Sequence, residues 1–332
     1  MSSSPSSSTS DVQRLGAPSN PPAQFTAIVL KEIDTNLFLG EEATLWRPQD
    51  ARGVYGGQIV GQALSAALKT VPPEKLVHSL HAYFLMKGDD KRNIVYHVQN
   101  LRDGKSFSSR LVTASQQGST IFVLVASFQV PHPQHQPVIE HQIKMPEVPP
   151  PESLPSVEQY YHQLLSDPRC PEHWRPFIQR RTKSNSPIDA RPVIASDFFA
   201  KFGPPPASWA RPKYPIIAET PRQAMWMKCK HTLPDDPAVH AAVLAYASDM
   251  NLLGTAKHDV SVTDIAVIAS LDHAMWFHRK FRADQWLLYY LESPRATDGR
   301  GLSYGGVFTQ DGTLVVTVVQ EGVLRLRSKS PL

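Results

Sequence analysis

The sequence predicts an α+β fold in which one continuous antiparallel sheet wraps around two helices. Three observations predict it. Strand-like runs follow one another with turn residues between them, as in a meander. Two stretches carry helical periodicity. The chain also repeats itself. His81-Ala82-Tyr83-Phe84 is matched by His273-Ala274-Met275-Trp276, residues 93–101 by 285–293, and STIFVLVASFQ (119–129) by GTLVVTVVQ (312–320). A duplicated strand–helix–strands unit is the economical explanation. Two such units can pair edge to edge, which removes an exposed sheet edge from each.

Residues 1–24 are rich in Ser and Pro and lack the apolar residues to fold, so they are expected to form a disordered tail. Strands are expected over 25–31 and 36–46. Tyr55-Gly56-Gly57-Gln58 then opens a helix marked by Val60, Leu64, Ala67, Leu68 and Val71, and Pro72-Pro73 ends it. Its other positions are mostly small, so it can lie close to a sheet. The paired glycines let the backbone approach closely, and a helix N-terminus favours anionic groups. Four strands follow, over 76–85, 93–104, 107–118 and 119–130, with turns at Asp103-Gly104 and Gln117-Gly118. Residues 25–130 thus form the first unit.

Residues 131–187 read as a Pro-rich, semi-extended linker with a short helix over 157–165 and a basic stretch at 180–183. The second unit spans 188–327, and 328–332 is a tail. Strands are expected over 188–199 and 223–233. Asp236 as N-cap and Pro237 as first residue start the second helix. Val239, Val243, Tyr246, Met250 and Leu253 mark its stripe, and Gly254 ends it.

Composition narrows the function. The 332 residues carry a net charge of only +4, too mild and dispersed to argue nucleic-acid binding. No apolar run approaches the about 18 residues of a membrane span. Two cysteines, Cys170 and Cys229, exclude a disulfide framework and suit a reducing compartment. His132, His135 and His141 in the linker match no metal-ligand spacing, so no metal is expected. The N-terminus has no apolar signal core. Ser330-Pro331-Leu332 matches the Ser-Lys-Leu peroxisomal address at its first and last residues, leaving peroxisome or cytoplasm as the expected compartment.

Four polar features stand out. In residues 313–320, Leu314, Val316, Val318 and Gln320 share one strand face. An amide there costs free energy unless it is hydrogen-bonded. Asp249 lies one turn beyond Tyr246 and flanks the apolar stripe of the second helix; an unpaired buried carboxylate would be costly. Ser270 sits in a run apolar on both faces (265–272), so its hydroxyl is expected to be buried and bonded. Asp272 and His273 adjoin it but, as strand neighbours, point to opposite faces. Gly301-Leu302-Ser303-Tyr304-Gly305 fits the nucleophile elbow of α/β-hydrolases. A strand follows it where a helix is required, and no histidine occurs after His278. Ser303 is therefore read as a strand residue.

The strings YASDMNLL, IASLDHAMWFHRKF, WLLYYLESPRATDGRGL and VFTQDGTLVVTVVQEGVLR resemble the type II acyl-CoA thioesterase family. VYGGQIVGQAL and SFSSRLVTASQQG match its first half, and the resemblance covers residues 25–327 in order. It implies a double hotdog fold and hydrolysis of acyl-CoA to free acid and CoA, without a cofactor or a covalent acyl-enzyme. The family's catalytic group falls on Asp249, Ser270 and Gln320, which would hold one water; the bacterial pattern has Thr where this chain has Ser270. Residues 197–222 look longer than the family pattern. The first helix offers Gln58 and Gln62 but no carboxylate, so only the site on the second helix is expected to be competent. Two alternatives stay open: a hotdog enoyl-CoA hydratase or dehydratase using Asp272-His273, and a non-catalytic acyl-CoA-binding protein. A homo-oligomer is compatible with the leftover sheet faces.

Overall fold

The computed structural model describes residues 25–48, 51–133, 137–168, 170, 172, 175–182, 186–193, 221–257, 260 and 265–327. The tails 1–24 and 328–332, His135, and all of 197–222 except 221 and 222 lie outside these residues.

The first half runs β1 (Lys31–Asp34), β2 (Leu37–Gly40), α1 (Gly56–Leu68), β3 (Leu76–Phe84), β4 (Ile94–Asp103), β5 (Phe107–Gln116) and β6 (Ser119–Gln129). Helices α2 (Val157–Ser166) and α3 (Arg175–Thr182) follow. The second half runs β7 (Ile188–Pro192), β8 (Arg222–Cys229), α4 (Pro237–Ser248), β9 (Ile265–Ser270), β10 (Asp272–Phe277), β11 (Leu287–Thr297), β12 (Arg300–Thr309) and β13 (Leu314–Leu326).

Among the described residues thirteen strands form one sheet, ordered β1-β2-β4-β5-β6-β3-β10-β13-β12-β11-β8-β7, with β9 also on β13. All pairings are antiparallel. The halves join where β3 meets β10, with Ala82 opposite His273. The sheet carries α1 and α4 on its concave side, which is the double hotdog. Gln117 (φ 50°) and Gly118 (φ 76°) make the tight turn between β5 and β6, and Asp298 (φ 52°) and Gly299 (φ 71°) the one between β11 and β12. No described helix is long and apolar enough to cross a membrane.

Helix α1 is buried almost all round, from Gly57 to Leu64 without a break. It packs on α4 through small residues. A Cβ on Gly57 would lie 2.2 Å from the Tyr246 carbonyl, and one on Gly61 3.0 Å from that of Ala242. Gln58 and Gln62 are buried and structural. Gln58 accepts from Trp46 N–H at 2.8 Å and donates to the Ala27 and Thr44 carbonyls. Gln62 donates to Ala27 O and accepts from Tyr96 Oη at 2.7 Å. Together they clamp the entry segment onto α1.

Several expectations need correction. Residues 25–31 are not a strand: Thr26–Ile28 form a 3-10 turn, because Phe25 and Ile28, three apart, are both buried. The strand expected over 36–46 stops at Gly40, and Glu42–Thr44 is a second such turn. The second helix ends at Ser248. Asn251 adopts φ 63°, which breaks the stripe before a separate turn, Leu252–Thr255. Beyond these corrections, the linker is held against the sheet. Trp226 donates to Pro149 O at 2.9 Å, and Arg191 to Pro151 O at 2.8 Å, fastening it to the sheet. The matched strings are also out of register. Val77 faces Phe128 as Ser270 faces Gly322, so the structural counterpart of Gln320 is Ala126 and not Gln129. Gly301–Gly305 lie inside β12, as the absence of a following helix requires.

Candidate active site

Asp249 caps the C-terminus of α4 in helical conformation (φ −75°, ψ −12°). A carboxylate is unfavourable at that end of a helix. The arrangement is offset by α1, whose N-terminus meets it. Gly57 N–H donates to Asp249 Oδ2 at 2.9 Å. Gly56 leaves the room for this: a Cβ there would lie 2.8 Å from Asp249 Oδ2 and 3.1 Å from the Phe84 ring. The anion expected at the first helix is thus the side chain of the second.

The other carboxylate oxygen is also held. Gln320 Nε2 donates to Asp249 Oδ1 at 2.9 Å. Gln320 is fully buried on β13, at the end of its aliphatic row. Its Oε1 has no hydrogen-bond partner among the described residues, and neither has Ser303 Oγ on the opposing position of β12.

Ser270 reaches this region through an irregularity of the sheet. Ser270 faces Gly322 and Ala274 faces Val319, so Leu271, Asp272 and His273 stand against Gln320 and Glu321 alone. This bulge turns Ser270 and His273 to the same face as Gln320. Ser270 is diagonal to Gln320 on the neighbouring strand, the kind of pair that sits about 7–8 Å apart, somewhat less at Cβ. Its expected burial is corrected: Ser270 is half-buried and β9 is largely exposed, because among the described residues β9 pairs only with β13. Ile268, on the face of Ser270, is 45% exposed. The structure brings Asp249 and Gln320 into direct contact and sets Ser270 diagonal to Gln320 on the more open β9.

Asp272 and His273 are occupied elsewhere. Asp272 Oδ1 accepts Glu321 N–H at 2.7 Å and stitches the bulge; burial raises its pKa. His273 Nε2 lies 2.9 Å from Ser248 Oγ, whose proton goes to Ala245 O. Burial holds His273 well below the usual imidazole range, against the pull of Asp249. It is a neutral ring.

Two phenols complete the surroundings, and neither stands out in the sequence. Tyr55 Oη donates to Tyr246 O at 3.1 Å, and Tyr289 Oη to Ser248 O at 2.5 Å, serving the end carbonyls of α4. Burial, then the Asp249 charge, push both phenols far above their ordinary range, so they remain donors. Their only sequence signal was a Tyr directly before the paired glycines and another in a strand of apolar residues.

The carboxylate is fixed at both oxygens, by Gly57 N–H and by Gln320 Nε2. A carboxylate held in this way can serve as an anchored base. A family model described as "Acyl-CoA thioesterase" matches residues 218–323, and one described as "Acyl-CoA thioesterase N-terminal domain" matches residues 43–129. The chain is 39% identical over 330 residues to acyl-coenzyme A thioesterase 8 of Homo sapiens, covering 96% of this chain and 95% of that one. It is 35% identical over 306 residues to acyl-CoA thioesterase 2 of Haemophilus influenzae, covering 89% and 94%. The crystal structure of acyl-CoA thioesterase II TesB2 from Mycobacterium marinum superimposes with a TM-score of 0.67 at 36% identity, covering 91% of this chain and 98% of that one. Fold, repeat and these matches over nearly the full length lead to one conclusion: the chain belongs to the type II acyl-CoA thioesterase family.

Proposed function

We propose that the chain hydrolyses fatty acyl-CoA to a free fatty acid and CoA, using one water held by Asp249, Ser270 and Gln320. The observation that carries this reading is the doubly anchored carboxylate, with Gly57 N–H on one oxygen and Gln320 Nε2 on the other. Such anchoring supplies preorganisation, which lowers a barrier by removing the need to reorient groups during reaction.

The water oxygen attacks the thioester carbonyl carbon while Asp249 accepts its proton. The tetrahedral intermediate collapses with cleavage of the C–S bond. The departing thiolate takes the proton from Asp249, which leaves the acid, CoA thiol and the original carboxylate. Ser270 and the free Gln320 Oε1 supply the remaining hydrogen bonds to the water. Exposed Ile268 beside Ser270 suits an acyl chain.

The hydratase reading has no free acid–base pair to draw on, since Asp272 is committed to Glu321 and His273 to Ser248. We assign one competent site per chain, because Gln58 and Gln62 are fully engaged in holding α1. The test is parallel assay of thiol release from acyl-CoAs and of water addition to enoyl-CoAs. Thiol release with no hydration supports the reading; hydration without thiol release overturns it.

A further inference from the structure

The duplication gives the catalytic centre a counterpart at the opposite ends of α1 and α4. There Lys69, the C-cap of α1, takes the place of Asp249. Val77 takes that of Ser270 and Ala126 that of Gln320. The helix N-terminus facing it is closed as well. Pro237 has no N–H, and Asp236 takes up Ala238 N–H at 2.9 Å with its own carboxylate. At the catalytic centre the corresponding N–H groups belong to Gly56 and Gly57, and the latter reaches across to Asp249. None of the positions equivalent to Asp249, Ser270 and Gln320 keeps its counterpart's carboxylate, hydroxyl or amide.

The space has nevertheless been kept. A cleft of about 1060 Å³ opens at this place. Its walls include Leu68, Val71, Val77, Val239, Phe277 and Phe281. Lys69, Lys75, Arg279 and Lys280 also line it, against a single carboxylate among the described residues, Asp236. Lys75 is committed to Gly104 O and Ser108 Oγ, and Arg279 to Glu140. Lys69 and Lys280 are exposed at the cleft. Pockets of this size accept elongated organic ligands. Apolar walls with free ammonium groups match an apolar chain with an anionic head.

We propose that this cleft is a second, non-hydrolytic site for an anionic amphiphile with a fatty acyl chain. The acyl-CoA substrate and the fatty acid product share that chemistry. The choice of ligand rests on the thioesterase reading; the existence of the site rests on the cleft and the repeat.

The test is equilibrium binding of a dodecanoyl-CoA thioether, which cannot be hydrolysed, to the full chain. Wild type is expected to bind two equivalents. Val239→Trp, which fills the cleft from the first turn of α4, is expected to bind one while releasing thiol from dilute substrate at the wild-type rate. The double variant Lys69→Glu, Lys280→Glu provides a surface control that leaves the core alone, and is expected to weaken the second equivalent at least tenfold. One equivalent on wild type, or a second equivalent unmoved by either variant, overturns the proposal. Competition by dodecanoate at the second site places the acyl chain in the cleft. Competition by free CoA with no effect of dodecanoate contradicts that placement. A wild type that binds two equivalents but releases no thiol would sink the catalytic reading and leave this site standing.

Discussion

Gln320 and Asp249, 71 residues apart, meet side chain to side chain, with Gln320 Nε2 donating to Asp249 Oδ1 at 2.9 Å. The contact explains why an amide ends a row of buried valines. It also ties the last strand of the sheet to the end of α4, where the carboxylate is already held by α1. Replacing Gln320 with Leu keeps the volume and removes the donor. The expected result is a fall in kcat of about 100-fold, or about 2.7 kcal/mol, with KM little changed. Steady-state thiol release checks it, and an unchanged kcat would remove Gln320 from the mechanism.

Gly57 is fixed by space. A Cβ there would stand 2.2 Å from the backbone carbonyl of Tyr246, which cannot move without moving α4. Gly57→Ala is expected to destabilise the fold by at least about 1–3 kcal/mol, the usual cost of overpacking. It should also reduce turnover by displacing the N–H that holds Asp249. Thermal melting and thiol release measured together test both effects. A variant as stable and active as wild type would show that α1 need not approach α4 this closely.

Ser270 is expected to act through its hydroxyl. Ser270→Thr keeps that group and should retain activity within about tenfold. Ser270→Val, nearly the same shape as Thr, should lose about 100-fold, on the scale of a lost preorganised donor. Equal rates for the Thr and Val variants would contradict a role for the hydroxyl.

The repeat made most of the fold legible. Matched strings predicted two units and one sheet, and the β3–β10 pairing joins them as expected. What escaped depends on backbone states that composition does not reveal. Asn251 breaks α4 by adopting the left-handed region, a conformation open to Asn but not required of it. The bulge at Leu271–His273 inserts one residue, and a single insertion changes which side chains face inward. β3 carries the same irregularity, between Val77 and Ser79, so the ladders of both halves agree in setting Leu80, not His81, in the place of His273. At the site, Asp249 and Gln320 were legible as polar residues in apolar patterns. Their mutual contact, and the Gly57 N–H between them and α1, required the two halves to be assembled.

His273 gives a pH prediction with a definite sign. Burial depresses its pKa in the folded chain below the unfolded value of about 6.5. Between those values the unfolded chain binds more protons, so stability rises with pH there. The contribution is fully present above about pH 6.5 and is lost as pH falls toward the folded value. His78, His240 and His278 are shifted the same way, chiefly by burial. Denaturant midpoints at about pH 5 and pH 7.5 should therefore differ for wild type. His273→Gln should reduce the difference by up to about 2 kcal/mol. An identical pH slope in the variant would mean that the ring titrates normally.

The most direct test is release of CoA thiol from acyl-CoAs of increasing chain length, with wild type and Asp249→Asn side by side. Wild type should release thiol, and the variant, which keeps shape but loses the base, should be slower by at least about 100-fold. A variant as fast as wild type, or a wild type that cleaves no acyl-CoA, would contradict the assignment of the water to Asp249.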